Sequence, residues 1–111
     1  ASVGLTEEEA KEMKLNVVTG ISFFKASGRA RCIGSSAMEG FVKVIAEAKS
    51  GRLIGMHILG PEASELIAEG VMAIEKQATL QEIAHTPHAH PTLSETILEA
   101  VQHALISRTK T

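Results

Sequence analysis

Tryptophan and tyrosine are absent from this 111-residue chain, and its only aromatic residues are three phenylalanines. Proteins that grip single-stranded nucleic acid stack bases on aromatic faces, so that class is disfavoured at the outset. Eleven Lys and Arg stand against thirteen Asp and Glu, a formal net charge of -2, which leaves no basic footprint for a phosphate backbone. The single cysteine, Cys32, can form neither an internal disulfide nor an internal redox pair, and its isolation fits a reducing compartment. No apolar run approaches the ~20 residues of a membrane span, and no secretory signal pattern is present. Neither nucleic acid nor membrane is therefore an expected partner. A dinucleotide-binding fingerprint, G-x-G-x-x-G directly after a strand, is also missing: Gly28 and Gly34 flank a stretch without that pattern. Internal repeats, low-complexity segments and linkers are lacking as well. The chain opens on Ala1 rather than Met, as after processing or as a cut from something longer.

What is present suits one compact domain over residues 1–111. Hydrophobic residues make up 44% and charged residues 22%, ordinary globular values, and a chain of this length buries roughly two-thirds of its unfolded surface. Residues 1–4 read as the tail of a strand. Thr6-Glu7-Glu8-Glu9 predicts a helix start, with Thr6 as cap, Glu9 closing a capping box and acidic charge against the positive helix end. This helix is short, ending near Lys14. Residues 16–22 have strand propensity. Residues 23–34 read as a loop holding one helical turn, with one of Phe23 and Phe24 in the core and the other free for a partner.

Residues 41–48 and 53–59 alternate apolar and polar positions around Lys49-Ser50-Gly51-Arg52, which predicts a β-hairpin. Ile54, Met56 and Ile58 share one expected face, and His57 lies on the other as a sheet-surface or interface residue. Gly60-Pro61-Glu62 stops the strand and opens a helix to about Gln77, on an apolar stripe that includes Leu66, Ile67, Gly70, Val71 and Ile74. A short helix over 80–85 ends before Pro87. A last helix carries Leu93, Ile97, Ala100, Val101, Ala104 and Leu105 inward, with His103 solvated and 108–111 as a polar tail. Strands clustered ahead of helices, rather than alternating with them, predict an α+β fold: an antiparallel β-sheet with helices packed on one side.

The chemistry concentrates in His88-Ala89-His90-Pro91-Thr92-Leu93-Ser94-Glu95. Imidazole trades protons near neutrality, and a base needs an orienting partner, which Glu95 could supply to His90 across a tight turn. A structural reading competes: Thr92-Leu93-Ser94-Glu95 fits the S/T-x-x-E capping box, with Glu95 returning to the Thr92 amide. A metal reading also exists, because His85, His88 and His90 form H-x-x-H-x-H. It lacks a fourth ligand at short spacing, and Pro87 and Pro91 hold the segment extended, which splays successive side chains. On residue types alone the alternatives stay open.

The same octapeptide resembles the C-terminal signature of the dihydrolipoamide dehydrogenases, flavin- and pyridine-nucleotide-dependent disulfide oxidoreductases. Ala1-Ser2-Val3-Gly4-Leu5-Thr6, Ser27-Gly28-Arg29-Ala30, Glu39-Gly40-Phe41-Val42-Lys43, Gly55-Met56-His57-Ile58-Leu59-Gly60-Pro61 and Ala63-Ser64-Glu65-Leu66-Ile67 resemble that family's last domain in order. Essentially the whole chain is covered. Glutathione-reductase-like relatives share His-Pro-Thr but generally not the full run.

The resemblance implies an interface (dimerisation) domain without the FAD and NAD domains that precede it in the family. The parent is then a homodimeric, FAD- and NAD-dependent dihydrolipoyl dehydrogenase of the bacterial cytoplasm or mitochondrial matrix. Its substrate is dihydrolipoamide on a lipoyl domain of a 2-oxoacid dehydrogenase or glycine-cleavage complex. His90 and Glu95 match the catalytic pair that serves the partner subunit's disulfide, and the His90-Pro91 backbone, typically cis, lies near the partner's flavin. His88 and Thr92 fall at the substrate and interface side. Cys32 matches neither redox cysteine. This chain alone is expected to be inactive and to bind no cofactor or metal; another flavoprotein disulfide reductase, or a His-cluster metal module, is the alternative. With Glu95 in the pair, capping is expected to fall to Ser94 or Thr92 alone, and Phe23 or Phe24 and the helix after Pro91 are the expected dimer contacts.

Overall fold

The computed structural model describes residues 1–34 and 38–110. Four strands, β1 (Ser2–Gly4), β2 (Val17–Phe23), β3 (Phe41–Glu47) and β4 (Leu53–Leu59), form one sheet in the order β1-β4-β3-β2 with every neighbouring pair antiparallel. Among the described residues five α-helices accompany it: α1 (Glu7–Glu12), α2 (Gly28–Ile33), α3 (Ala63–Glu75), α4 (Leu80–His85) and α5 (Glu95–Thr109). The predicted α+β class and the hairpin of β3 and β4 are what the chain adopts.

The core lies between one sheet face and helices α3, α4 and α5. Val42, Val44 and Ala46 of β3 alternate inward, as period-two patterning requires, and meet Leu80, Ile97, Ala100, Val101 and Ala104. The opposite face is partly covered by α1, whose Glu7 pairs with Lys43 at 2.7 Å. Thr6 and Glu9 form the predicted capping box.

On β4 the inward set differs from the expected one. Ile45 pairs with Gly55 and Ala46 with Leu53, so Ile54 is an extra residue at a β-bulge. The bulge shifts the alternation by one, and Leu53, not Ile54, joins Met56 and Ile58 in the core. His57 does sit on the sheet surface, where its ring bonds Ser2 Oγ at 2.8 Å and the Leu5 carbonyl at 2.9 Å, tying β1 to β4.

Residues 23–34 hold more helix than the expected single turn. Phe24–Ala26 is a 3-10 turn, and the Ser27 hydroxyl accepts from the Ala30 amide at 3.1 Å to cap α2. Phe24 is fully buried, whereas Phe23 is 47% exposed, which narrows the two candidate contact residues to Phe23.

Helix α5 crosses β2 very closely at Gly20. A Cβ there would stand 2.1 Å from the Ala100 carbonyl oxygen and 2.5 Å from the Ala104 nitrogen. The expected polar tail is instead the last turn of α5, where Arg108 donates to the carbonyls of Ala48 and Lys49, both at 2.8 Å. Thr111 lies outside the described residues. These anchors fix α5 along the sheet and so fix its first residue, Glu95. Among the described residues no helix is long and apolar enough to cross a membrane.

Candidate active site

Residues 86–94 link α4 to α5, and the octapeptide spans this link and the first residue of α5. Thr79 and Glu82 close a second capping box at the start of α4, with bonds of 2.8 and 3.2 Å. The buried Leu80 and Ile83 hold that helix on the core. The link thus starts and ends on anchored helices, and its own polar groups do the rest. Thr92 Oγ1 donates to the Ala89 carbonyl at 2.6 Å, which leaves the Ser94 hydroxyl to donate to Thr92 Oγ1 at 2.8 Å. The His90–Pro91 peptide is cis.

Glu95 is the hub. Its Oε1 accepts from the Thr92 amide at 3.0 Å, and His90 Nδ1 lies 2.9 and 3.0 Å from its two oxygens. The expectation that orienting His90 and returning to the Thr92 amide exclude one another is therefore corrected. An ionised carboxylate offers about four lone-pair sites, so one group serves both. Nor does Ser94 or Thr92 cap through its side chain: Ser94 occupies the cap position without a side-chain bond to the helix amides. The first free amides instead make tight backbone bonds, Glu95 to Thr92, Thr96 to Leu93 and Ile97 to Ser94.

These contacts define charge and tautomer. The Thr92 amide, and next the His90 ring, hold the Glu95 carboxyl below the usual carboxylate value of 4.5. A carboxylate only accepts, so His90 Nδ1 carries the hydrogen and the Nε2 of the neutral ring is the bare, proton-accepting nitrogen. The His90 side chain is 77% exposed, and Nε2 has no bonding partner among the described residues. Acid or base chemistry at that atom is thus open to a molecule arriving from outside.

His88 is turned the other way. Its side chain is 6% exposed, with Nδ1 2.8 Å from the Thr86 carbonyl and Nε2 2.7 Å from Glu69 Oε2 on α3. Glu69 escaped the sequence reading because nineteen positions separate it from His88 and no local spacing links them. His88 and His90 therefore face different carboxylates. Among the described residues no group of three or more His, Cys, Asp or Glu side chains is placed to hold a metal ion, so the histidines of the metal alternative are not gathered. His90 and Pro91 are both exposed to solvent.

Known proteins share this arrangement of sequence and fold. Residues 1–101 match the family model described as pyridine nucleotide-disulphide oxidoreductase, dimerisation domain. The chain is 52% identical over 104 residues to a protein of Halobacterium salinarum named dihydrolipoyl dehydrogenase, covering 94% of this chain and 22% of that one. It is 45% identical over 100 residues to the mitochondrial dihydrolipoyl dehydrogenase of Pisum sativum, covering 90% of this chain and 20% of the relative. The fold matches the crystal structure of LpdA from Mycobacterium tuberculosis with a TM-score of 0.82 at 30% identity, over 91% of this chain and 22% of that one. It also matches the HOCl-induced flavoprotein disulfide reductase RclA from Escherichia coli with a TM-score of 0.84 at 25% identity, over 91% of this chain and 23% of that one. The chain thus spans about a fifth of the length of these relatives. On this match the chain belongs to the pyridine nucleotide-disulphide oxidoreductase dimerisation domain family.

Proposed function

We propose that residues 1–111 form the dimerisation domain of a dihydrolipoyl dehydrogenase, and that His90 and Glu95 act on the disulfide of a partner subunit. The observation that carries this reading is the His90–Glu95 pair, which leaves an oriented and exposed ring nitrogen. The near-50% identity to proteins of that name supports the choice of substrate.

Dihydrolipoamide carries two thiols, and the thiolate is the form that attacks a disulfide. His90 Nε2 takes the proton of one thiol. The thiolate attacks one sulfur of the partner's disulfide, forming a mixed disulfide and releasing the other sulfur as a thiolate. The second substrate thiol gives its proton to the thiolate just released and attacks the substrate sulfur of the mixed disulfide. That bond breaks, giving lipoamide and leaving the partner's cysteines as one thiol and one thiolate, with the first proton still on His90. Glu95 holds the ring in the tautomer that accepts the proton and stabilises the imidazolium that results. FAD and NAD, when bound by the rest of the parent, supply the acceptor for the electron pair. The exposed Phe23 and the start of α5 are the surfaces assigned to the second subunit. The substrate arrives as dihydrolipoamide on a lipoyl domain.

The test is dihydrolipoamide-to-NAD turnover in the full-length parent, wild type against His90→Gln. A positioned base contributes about 10²- to 10⁴-fold. A loss of that size with flavin content and dimer intact supports the assignment, and near-normal turnover removes His90 from the reaction. Because the fold also matches a flavoprotein disulfide reductase of another kind, turnover with a monothiol disulfide substrate should be measured beside it. A preference for that substrate would move the chain to that branch of the family.

A further inference from the structure

The two bonds of His88 impose a condition on its ring. The Thr86 carbonyl accepts at Nδ1, and the Glu69 carboxylate accepts at Nε2. Neither can donate, so both ring nitrogens must carry hydrogen, and a ring with both hydrogens is an imidazolium. A neutral ring could satisfy only one of the two. The side chain is 6% exposed, and the adjoining groove, about 450 Å³, is walled by Met72, Ala73, Ile83 and Pro87. A charge placed beside apolar walls persists only when it is paired, and Glu69 supplies the pairing.

We propose that His88 is a positioning residue: held as an imidazolium between Glu69 and the Thr86 carbonyl, it fastens the link that carries His90 to α3. A run of bonds connects the clamp to the dyad. The Ala89 carbonyl, next to His88, accepts from Thr92 Oγ1, the Thr92 amide donates to Glu95, and Glu95 holds His90. His90 itself is exposed and, among the described residues, its ring bonds only to Glu95, so the orientation of that ring depends on how the link is held.

The charged groups around the ring agree with this. Glu69 of α3, Lys76 directly after that helix and Glu82 of α4 line the groove, and the charge of Glu95 on α5 also reaches the ring. Burial pulls the His88 value down, yet the Glu69 bond, the Glu69 charge and the Thr86 carbonyl outweigh it and leave the value above the usual 6.5. A raised value sets the sign. The clamp is complete below the ordinary histidine value and is lost as pH rises through the raised one. His88→Ala would remove the clamp at every pH; Glu69→Gln should only weaken its charge, because an amide can donate to a neutral ring.

The inference takes its purpose from the reading of His90 and Glu95 above, but its readouts involve neither turnover nor the His90 ring, so either can fail alone. The experiment is nitrogen NMR of the histidine rings in this chain, together with amide hydrogen exchange, from mildly acidic to alkaline pH. Below the ordinary histidine value both His88 ring nitrogens should be protonated, with the midpoint above that value and lower in Glu69→Gln. Protection of the Thr92 amide should fall roughly 10- to 100-fold as His88 loses its charge, the size of one charge-assisted bond. In Glu69→Gln, whose amide can donate to the neutral ring, that pH-dependent fall should be much smaller, and Glu69→Asp, which keeps the carboxylate, should show it again. Protected amides in β3 and β4 show that the fold is intact. A neutral His88 ring facing a protonated Glu69 would overturn the proposal, as would Thr92 protection that ignores the charge on His88.

Discussion

Glu95 Oε1 accepts from the Thr92 amide and the His90 ring together, at 3.0 and 2.9 Å, so the carboxylate that starts α5 also orients the exposed imidazole. Helix start and dyad are one construction. A carboxylate is also favourable in the first turn of a helix, where the unpaired amides carry partial positive charge.

Replacing Glu95 by Gln separates geometry from charge. The amide oxygen can still accept from Thr92 or from His90 Nδ1, but the negative charge that stabilises a protonated ring is gone. Turnover of the parent should fall about 10²-fold, the lower end of what a positioned base contributes, with the melting temperature of this chain little changed. Glu95→Ala should lose more in both measurements, because the Thr92 amide then has no acceptor. Equal turnover in Glu95→Gln and wild type would remove the charge from the mechanism.

The acid side of the profile follows from the same bonds. Glu95 is held below 4.5 chiefly by the Thr92 amide and next by His90. A depressed value means that the bonded carboxylate contributes above its unfolded value and is lost as pH falls through the folded one. Carbon NMR of the Glu95 carboxyl should therefore show a midpoint below 4.5. In His90→Ala the midpoint should rise only part way, since the larger cause remains. A full return to the ordinary carboxylate value would show that the Thr92 amide bond is not the dominant one.

Gly20 should tolerate no side chain. A methyl there would meet the Ala100 carbonyl oxygen and the Ala104 nitrogen, both backbone atoms of α5 that cannot rotate away. Overpacking of this kind costs about 1–3 kcal/mol and occasionally more. Gly20→Ala should sit at or above the top of that range by urea titration. Since α5 must shift, turnover of the parent should fall as well. A near-neutral Gly20→Ala would mean that α5 has room to lift from β2 without loss.

The parts of this molecule legible from sequence are those encoded in short spacings. Thr6 and Glu9 announced α1, Gly51 announced the hairpin, and the stripe of Ile97, Ala100, Val101 and Ala104 announced α5. A bulge is invisible to period-two reading, so the exchange of Ile54 for Leu53 in the core could not be seen. Helix α2 buries little beyond Ala30 and therefore shows no apolar stripe; only Ser27, three residues before the Ala30 amide that it caps, hinted at it. Two contacts across the fold were hidden altogether: Glu69 with His88, and His103, which is exposed as expected, with the Ile21 carbonyl of β2. The dyad was legible because both members lie within one turn of chain. What holds the dyad in place was not, because it comes from α3.

The capping box of α4 is the remaining local test, and it bears on the site from the other end of the link. Thr79 Oγ1 accepts from the Glu82 amide at 3.2 Å while Glu82 returns to the Thr79 amide at 2.8 Å. Thr79 also bridges to Arg52 beside β4, so the cap fixes both the start of α4 and its seat on the sheet. Removing a capping hydroxyl costs about 0.5–2 kcal/mol. Thr79→Ala should lose that amount in thermal unfolding of this chain, while Thr79→Ser, which keeps the oxygen, should lose much less. If α4 frays, the Thr86 carbonyl that receives His88 Nδ1 shifts with it, and amide protection at Thr92 should drop in Thr79→Ala. Unchanged Thr92 protection beside a lowered melting temperature would show that the link is held from α3 and α5 alone.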